Sequence, residues 1–147
     1  MVEFALTIPI LLALATAIFT FGLAFHSYLE LTNAVNMGAL VLAQSRGAAD
    51  PCNAAAAQVK HVSTFLSKSN LTFNYTFYST NFYNTSGATP TTLLTVSNAT
   101  TCSPTATQML SGGAVLLRVT YTLRPYGIFK YSFPNFTMGA QTIQLIQ

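Results

Sequence analysis

Residues 1–25 read MVEFALTIPILLALATAIFTFGLAF. Between Phe4 and Phe25 there is no charged residue. As an α-helix this run reaches about 33 Å, enough to cross roughly 30 Å of hydrocarbon. It outlasts the roughly 7–15-residue apolar core of a cleavable signal peptide, and no small-residue cleavage site interrupts it. Pro9 falls in the first two turns, where a missing amide costs least. The odd residue is Glu3. A signal peptide would put positive charge there, and an ordinary anchor would put a basic or neutral residue. The next basic side chain along the chain is Arg46, roughly 60 Å up a continuous helix. A free α-amino group, on this chain or a neighbour's, is the expected partner of Glu3. Among packed apolar helices such a pair sets register more than it adds stability.

Working outward, the apolar run passes without a breaker into HSYLELTNAVNMGALVLAQSRG. Tyr28, Leu31, Val35, Gly38 and Leu42 recur at helical steps, and Arg46 with Gly47 makes a helix stop. One helix of about 43 residues is expected, far beyond the usual globular length. Its first half (membrane span 4–25) lies in lipid and its second half outside. Residues 1–46 then form one organisational unit, and 47–147 an exterior globular α+β domain.

A second helix follows, with Asp50 as cap, Pro51 at its first position and an alanine run of high propensity. Ala55, Val59, Val62 and Leu66 mark its apolar face with Phe65 beside it, and its end is expected between Ser67 and Asn70. The period then drops to two. In LTFNYTFYS, Leu71, Phe73, Tyr75 and Phe77 share one face, while Thr72, Asn74, Thr76 and Tyr78 share the other. Asn84 to Pro90 reads as a loop, and TTLLTVS as a weaker strand. AVLLRVTYTLR after Gly112-Gly113 reads as the clearest strand, and Pro125, Gly127 and Pro134 mark a long aromatic connection. The last strand, from about Phe136 to Ile146, is expected to pack Ile143 and Leu145 on one side. The fold class is α+β: a long N-terminal helix, a short second helix and a small antiparallel sheet of about four strands.

Only 6% of the 147 residues are charged, with a net charge of +3, against roughly 25% charged in ordinary soluble domains. That balance makes no basic stripe and argues against nucleic acid. Catalysis needs convergent His, Asp, Glu or Cys, and here only His26, His61, Glu3, Glu30 and Asp50 stand beside two cysteines. No GxSxG, HExxH or phosphate-cradling glycine loop occurs. The expectation is a protein that is not an enzyme and holds no cofactor or metal. Cys52 and Cys102 lie outside the apolar run and read as one disulfide in an oxidising compartment; two cysteines alone do not complete a four-ligand zinc site. Asn-x-Ser/Thr acceptors stand at Asn70, Asn74, Asn84, Asn98 and Asn135. They are either a polar surface replacing charge or attachment points for an exterior glycan coat.

VEFALTIPILLALATAIFTFG resembles the start of TadE-like pseudopilins, part of the type IV pilin group. LELTNAVNMGALVLAQSRG is similar to the family's N-A-A-R-E-G-A-R segment, with Asn36-Met37 where the family has Arg-Glu. AVLLRVTYTLRPYGIFKYSFPNFTMGAQTIQL looks like its late strands and Pro-rich link, while Asn70 to Gly112 matches only in character. The resemblance implies a basic leader cut after a glycine by a prepilin peptidase at the cytoplasmic face. It implies passage from the inner membrane into a filament by pilus assembly machinery, with Glu3, Phe4 and Pro9 serving assembly. The family's glutamate lies five residues after the cut, whereas Glu3 is third. Either two residues precede Met1, which is then internal, or processing differs.

A filament would account for the long helix. Ala5, Ala13, Ala15, Ala17, Gly22 and Ala24 let neighbours approach closely, and a heterologous, non-closing contact builds an open polymer. The leading expectation is a structural subunit of an extracellular pilus-like filament, a helical homopolymer on the cell surface. The alternatives are a minor pseudopilin that primes or caps assembly from the membrane, and a membrane-anchored carbohydrate-binding or adhesion domain. The last rests on the aromatic residues Tyr75, Tyr78, Phe82 and Tyr83.

Overall fold

The structure is a computed structural model that describes residues 2–79, 90–105, 107–123 and 135–147, with only the helical backbone described for residues 2–6. Helix α1 spans Val2–Gln44 in one uninterrupted run of 43 residues, the length expected from the pattern. It closes two residues before Arg46: the Ser45 amide donates to the Val41 and Leu42 carbonyls, and Gly47 then takes a φ of +84° that only glycine adopts at no steric cost. Helix α2 spans Pro51–Val62 behind an Asp50 cap whose carboxylate accepts the Asn53 amide.

Helix α2 ends earlier than its apolar spacing suggests. The Ser63 amide and hydroxyl both donate to the Val59 carbonyl. The Phe65 amide donates at 2.9 Å to the carboxylate of Glu30 on α1, which replaces the acceptor that a further turn would have provided. Leu66 still reaches the core, but Phe65 does not: it is 78% exposed. A single 3-10 turn at Lys68–Asn70 leads into the sheet.

Four antiparallel strands follow, β1 (Leu71–Tyr78), β2 (Thr92–Ser97), β3 (Ala114–Leu123) and β4 (Phe136–Leu145), in the order β2-β1-β3-β4. Leu71, Phe73, Tyr75 and Phe77 pair with Tyr121, Val119, Leu117 and Val115, and all eight are buried. In β4 the two bulky residues, Ile143 and Leu145, share one side, as expected, but it is not the packed one. Ala140 lies opposite Val119 and Thr142 opposite Leu117, so β4 presents Met138, Ala140, Thr142 and Gln144 inward. Ile143 and Leu145 lie on the outer side, and both are exposed. Helix α1 packs against β3 and β4, and small Ala140 lets it come close. Ile146, just past the strand, turns back into the core and exchanges two backbone hydrogen bonds with Gly112 and Gly113. The expected loop at Asn84–Pro90, apart from Pro90, and the connection through Pro125, Gly127 and Pro134 lie outside the described residues.

The core joins Leu31, Val35, Ala39 and Leu42 of α1 to Ala55 and Val59 of α2 and to the inner sheet face. Gly38 is the closest approach. A Cβ there would collide with the Val59 side chain and sit 3.2 Å from the Ala55 carbonyl oxygen and 3.3 Å from Leu117. Helix propensity alone would make Gly→Ala favourable by about 1 kcal/mol, yet overpacking costs about 1–3 kcal/mol. Gly38→Ala is therefore expected to lower the melting temperature. Gly22→Ala, where no atom lies within 4 Å of the added methyl, should leave it unchanged or raised. Parallel thermal melts in detergent check both signs.

Candidate functional site: the uncovered half of the long helix

Helix α1 is two surfaces end to end. From Leu31 to Ala43 it supplies six fully or nearly fully buried apolar side chains. From Thr7 to Leu23 every side chain is exposed, Ile8, Leu11, Leu14, Ile18, Phe19 and Phe21 among them. This is the one helix among the described residues that is long and apolar enough to cross a membrane. Its hydroxyls need no water. Thr16 donates to the Leu12 carbonyl at 2.9 Å, Thr20 to Thr16 at 2.9 Å and Ser27 to Leu23 at 3.0 Å, so the half-helix can enter an apolar medium without orphaned donors.

At about 100° per residue, Ala13, Ala17, Thr20 and Ala24 fall on the face that continues upward as Leu31, Val35, Gly38 and Leu42. The side that packs on the domain above is therefore lined with small residues below, and the bulky Leu11, Leu14, Ile18 and Phe25 point away from it. Pro9 lies inside α1 and is exposed. Glu3 and Phe4 lie in the first turn of its backbone.

Where α1 enters the domain, its flanks carry polar groups. Glu30 accepts the Phe65 amide at 2.9 Å and the Thr64 hydroxyl at 3.3 Å, and its second oxygen is buried with no partner among the described residues. One turn below, His26 meets the Phe65 ring edge-on at 5.5 Å. On the other flank Tyr28 and Thr32 line a shallow cleft with Arg118, Gly139, Ala140 and Gln141. His61 is an exposed residue of α2.

The far end of the domain is clamped. Cys52, in the first turn of α2, forms a disulfide with Cys102 across 50 residues, with Cα atoms 5.4 Å apart. Asp50 ties the same two segments: one carboxylate oxygen takes the Asn53 amide and, at 3.0 Å, the Cys102 amide. Tyr75 completes the cluster by donating its hydroxyl to the Cys52 carbonyl at 3.1 Å. Burial, and secondarily the Asp50 carboxylate, pushes the Tyr75 hydroxyl pKa well up, so it remains a donor at any physiological pH.

Tyr75 and Tyr78 therefore cannot form one aromatic surface. Tyr75 is in the core and Tyr78 is on the opposite sheet face, because adjacent odd and even positions of a strand alternate. Phe82 and Tyr83 lie outside the described residues. Of the glycan acceptors, Asn70 is half-buried and donates its amide to the Thr122 carbonyl. Asn74 accepts the Asn98 amide, whereas Asn98 and Asn135 are exposed. Asn84 lies outside the described residues. The contact of Glu30 with the α2–β1 loop was not visible in the sequence; a lone carboxylate on the core-adjacent side of a helix was its only sign.

With this geometry in view, comparison adds one match: residues 1–40 fit the model of the family described as TadE-like protein. No curated protein and no solved structure matches the chain. The matched segment is all of the uncovered half of α1 plus the turns that enter the core, so the TadE-like part of this chain is the helix itself. The match likens the first 40 residues of the chain to TadE-like proteins.

Proposed function

We propose that the chain is a structural subunit of an extracellular pilus-like filament, held in the inner membrane by α1 before assembly and polymerising through it afterwards. The supporting observation is the division of α1: one helix buried at its upper end in its own domain and exposed from Thr7 to Leu23, more than four turns, below. A bare apolar surface of this size needs a partner in water. Lipid meets that need before assembly, and identical helices meet it after. The aligned Ala13, Ala17, Thr20 and Ala24 permit close helix–helix approach, and a head-to-tail contact that does not close repeats without limit.

Glu3 is the assembly contact of this reading. Its carboxylate pairs with the amino terminus of an incoming copy released by a prepilin peptidase, with Phe4 and Pro9 shaping the first turns around it. Asn98 and Asn135 are the acceptors whose exposure suits a glycan on the outer surface. The second reading, a minor subunit that primes or caps the pilus, shares the helix and differs in copy number. A carbohydrate-binding role loses support with Tyr75 in the core.

A photo-cross-linking amino acid placed at Phe19 tests the use of the helix. In cells that assemble the pilus, it is expected to yield a ladder of covalent multimers of this chain. Cross-links to lipid alone would contradict polymerisation through α1.

A further inference from the structure

The loop between α2 and β1 holds an aromatic ring where an ordinary soluble domain would not. Phe65 is 78% exposed, the most exposed large apolar side chain among the described residues. Its position is fixed from both sides. Glu30 accepts its amide at 2.9 Å, and its ring rests edge-on against His26 at 5.5 Å. His26 is the first residue beyond the charge-free run that ends at Phe25. The ring is thus pinned at the height where the apolar surface of α1 gives way to polar side chains, and it extends that surface sideways under the domain.

The opposite flank of α1 carries charge a little higher, beside Tyr28 and Thr32. Arg118 reaches a cleft with Tyr28 and Thr32 of α1, and with Gly139, Ala140 and Gln141 of β4. Arg118 has no hydrogen-bond or ion-pair partner among the described residues. The carboxylate of Glu30 is engaged with the Phe65 loop, and that of Asp50 with Cys102 and Asn53. An apolar ring on one side and, a little higher on the other, an uncompensated guanidinium match the two zones of a bilayer boundary: the glycerol-proximal part of the acyl chains and the phosphate above it.

We infer that the base of the domain is a membrane seat, with Phe65 inserted at the headgroup–acyl boundary and Arg118 facing lipid phosphate while the subunit awaits assembly. The inference rests on the reading of α1 as a membrane-spanning helix. It adds that the domain has one fixed height and orientation on the bilayer, and that joining a filament requires the ring to be withdrawn from lipid. A neighbouring copy covering Phe65 in the filament is the competing occupant. The bilayer is favoured by the height of the ring at the end of the charge-free run and by the complementary charge of Arg118.

The chain contains no tryptophan, so Phe65→Trp gives it a single indole, excited selectively at the red edge of its absorption where the tyrosines do not absorb. It is compared with Leu14→Trp, at mid-span, in vesicles of phosphatidylcholine with phosphatidylglycerol whose acyl chains are brominated either near the glycerol or near the methyl end. The indole at position 65 is expected to emit at shorter wavelength than in water and to be quenched mainly by the shallow bromines. The indole at position 14 should be quenched mainly by the deep ones. Water-like, unquenched emission from position 65 with normal quenching at position 14 overturns the seat and leaves the spanning helix intact. So does shielding of position 65 that is found in filaments and absent from vesicles. Failure of quenching at position 14 overturns the spanning reading and the seat with it. Arg118→Gln in the Phe65→Trp background is expected to erase the extra quenching that phosphatidylglycerol confers over phosphatidylcholine alone; equal behaviour with and without the arginine overturns the phosphate contact.

Discussion

Glu3→Ala is expected to abolish filament formation while leaving the domain as stable as before. The two effects separate because Glu3 lies in the first turn of α1, and the side chains that follow it on that helix, from Thr7 to Leu23, are exposed. In an assembled bundle the situation inverts. In the proposed filament the carboxylate would neutralise a neighbour's ammonium among apolar helices, and removing one partner of such a pair costs about 3–5 kcal/mol because it strands the other charge. At about 1.4 kcal/mol per tenfold in an equilibrium constant, even the lower end removes polymer at cellular concentrations. The measurement is the filament yield in the sheared surface fraction beside the thermal melt of detergent-solubilised subunit. Unchanged filaments would remove Glu3 from the assembly contact. A lowered melting temperature would mean that the helix serves its own domain.

Loss of the disulfide is expected to give the largest change in domain stability. Cys52–Cys102 closes a loop of 50 residues in sequence, for which the chain-entropy argument gives about 4 kcal/mol. For a domain of roughly 100 residues this corresponds to a fall in Tm of roughly 15–30 °C. The entropic figure dominates here because the native-state ties remain: Asp50 still accepts the Cys102 amide, and Tyr75 still donates to the Cys52 carbonyl. Melting the Cys52→Ala/Cys102→Ala double variant beside wild type, with and without reductant, checks it. The reductant should lower the wild-type Tm towards that of the variant and leave the variant itself unmoved. A drop of only a few degrees would show that Asp50 and the core hold the loop without help from the bond.

Element types were legible from period and composition wherever a local pattern decided them. The charge-free run from Phe4 with the helical steps to Leu42 predicts α1 to within its last two residues, and strict alternation from Leu71 to Tyr78 predicts β1 and its inner face. The misreadings share one cause, a partner distant in sequence. The end of α2 was taken over by Glu30, 35 residues before the amide it captures, so no local spacing could locate it. In β4 the bulkier residues, Ile143 and Leu145, suggested the wrong face. Pairing with β3 and the passage of α1 favoured small Ala140 inward instead.

The site divided in the same way. An uncovered apolar helix can be read from sequence because its defining property is a lack of partners, and the match over residues 1–40 covers that part. The base of the domain, where Glu30, His26, Phe65 and Arg118 surround the exit of α1, could not be read. It is assembled from two helices, a loop and two strands, and no single segment carries its signature.

The central claim is that this chain polymerises through α1 into a surface filament, and cryo-electron microscopy of sheared surface filaments with mass spectrometry of the same fraction tests it most directly. The expected result is a filament whose main component is this chain, with α1 helices packed side by side along the axis and the disulfide-clamped domain outside. Filaments built from another chain, with this one absent or present only in trace amounts, would contradict it.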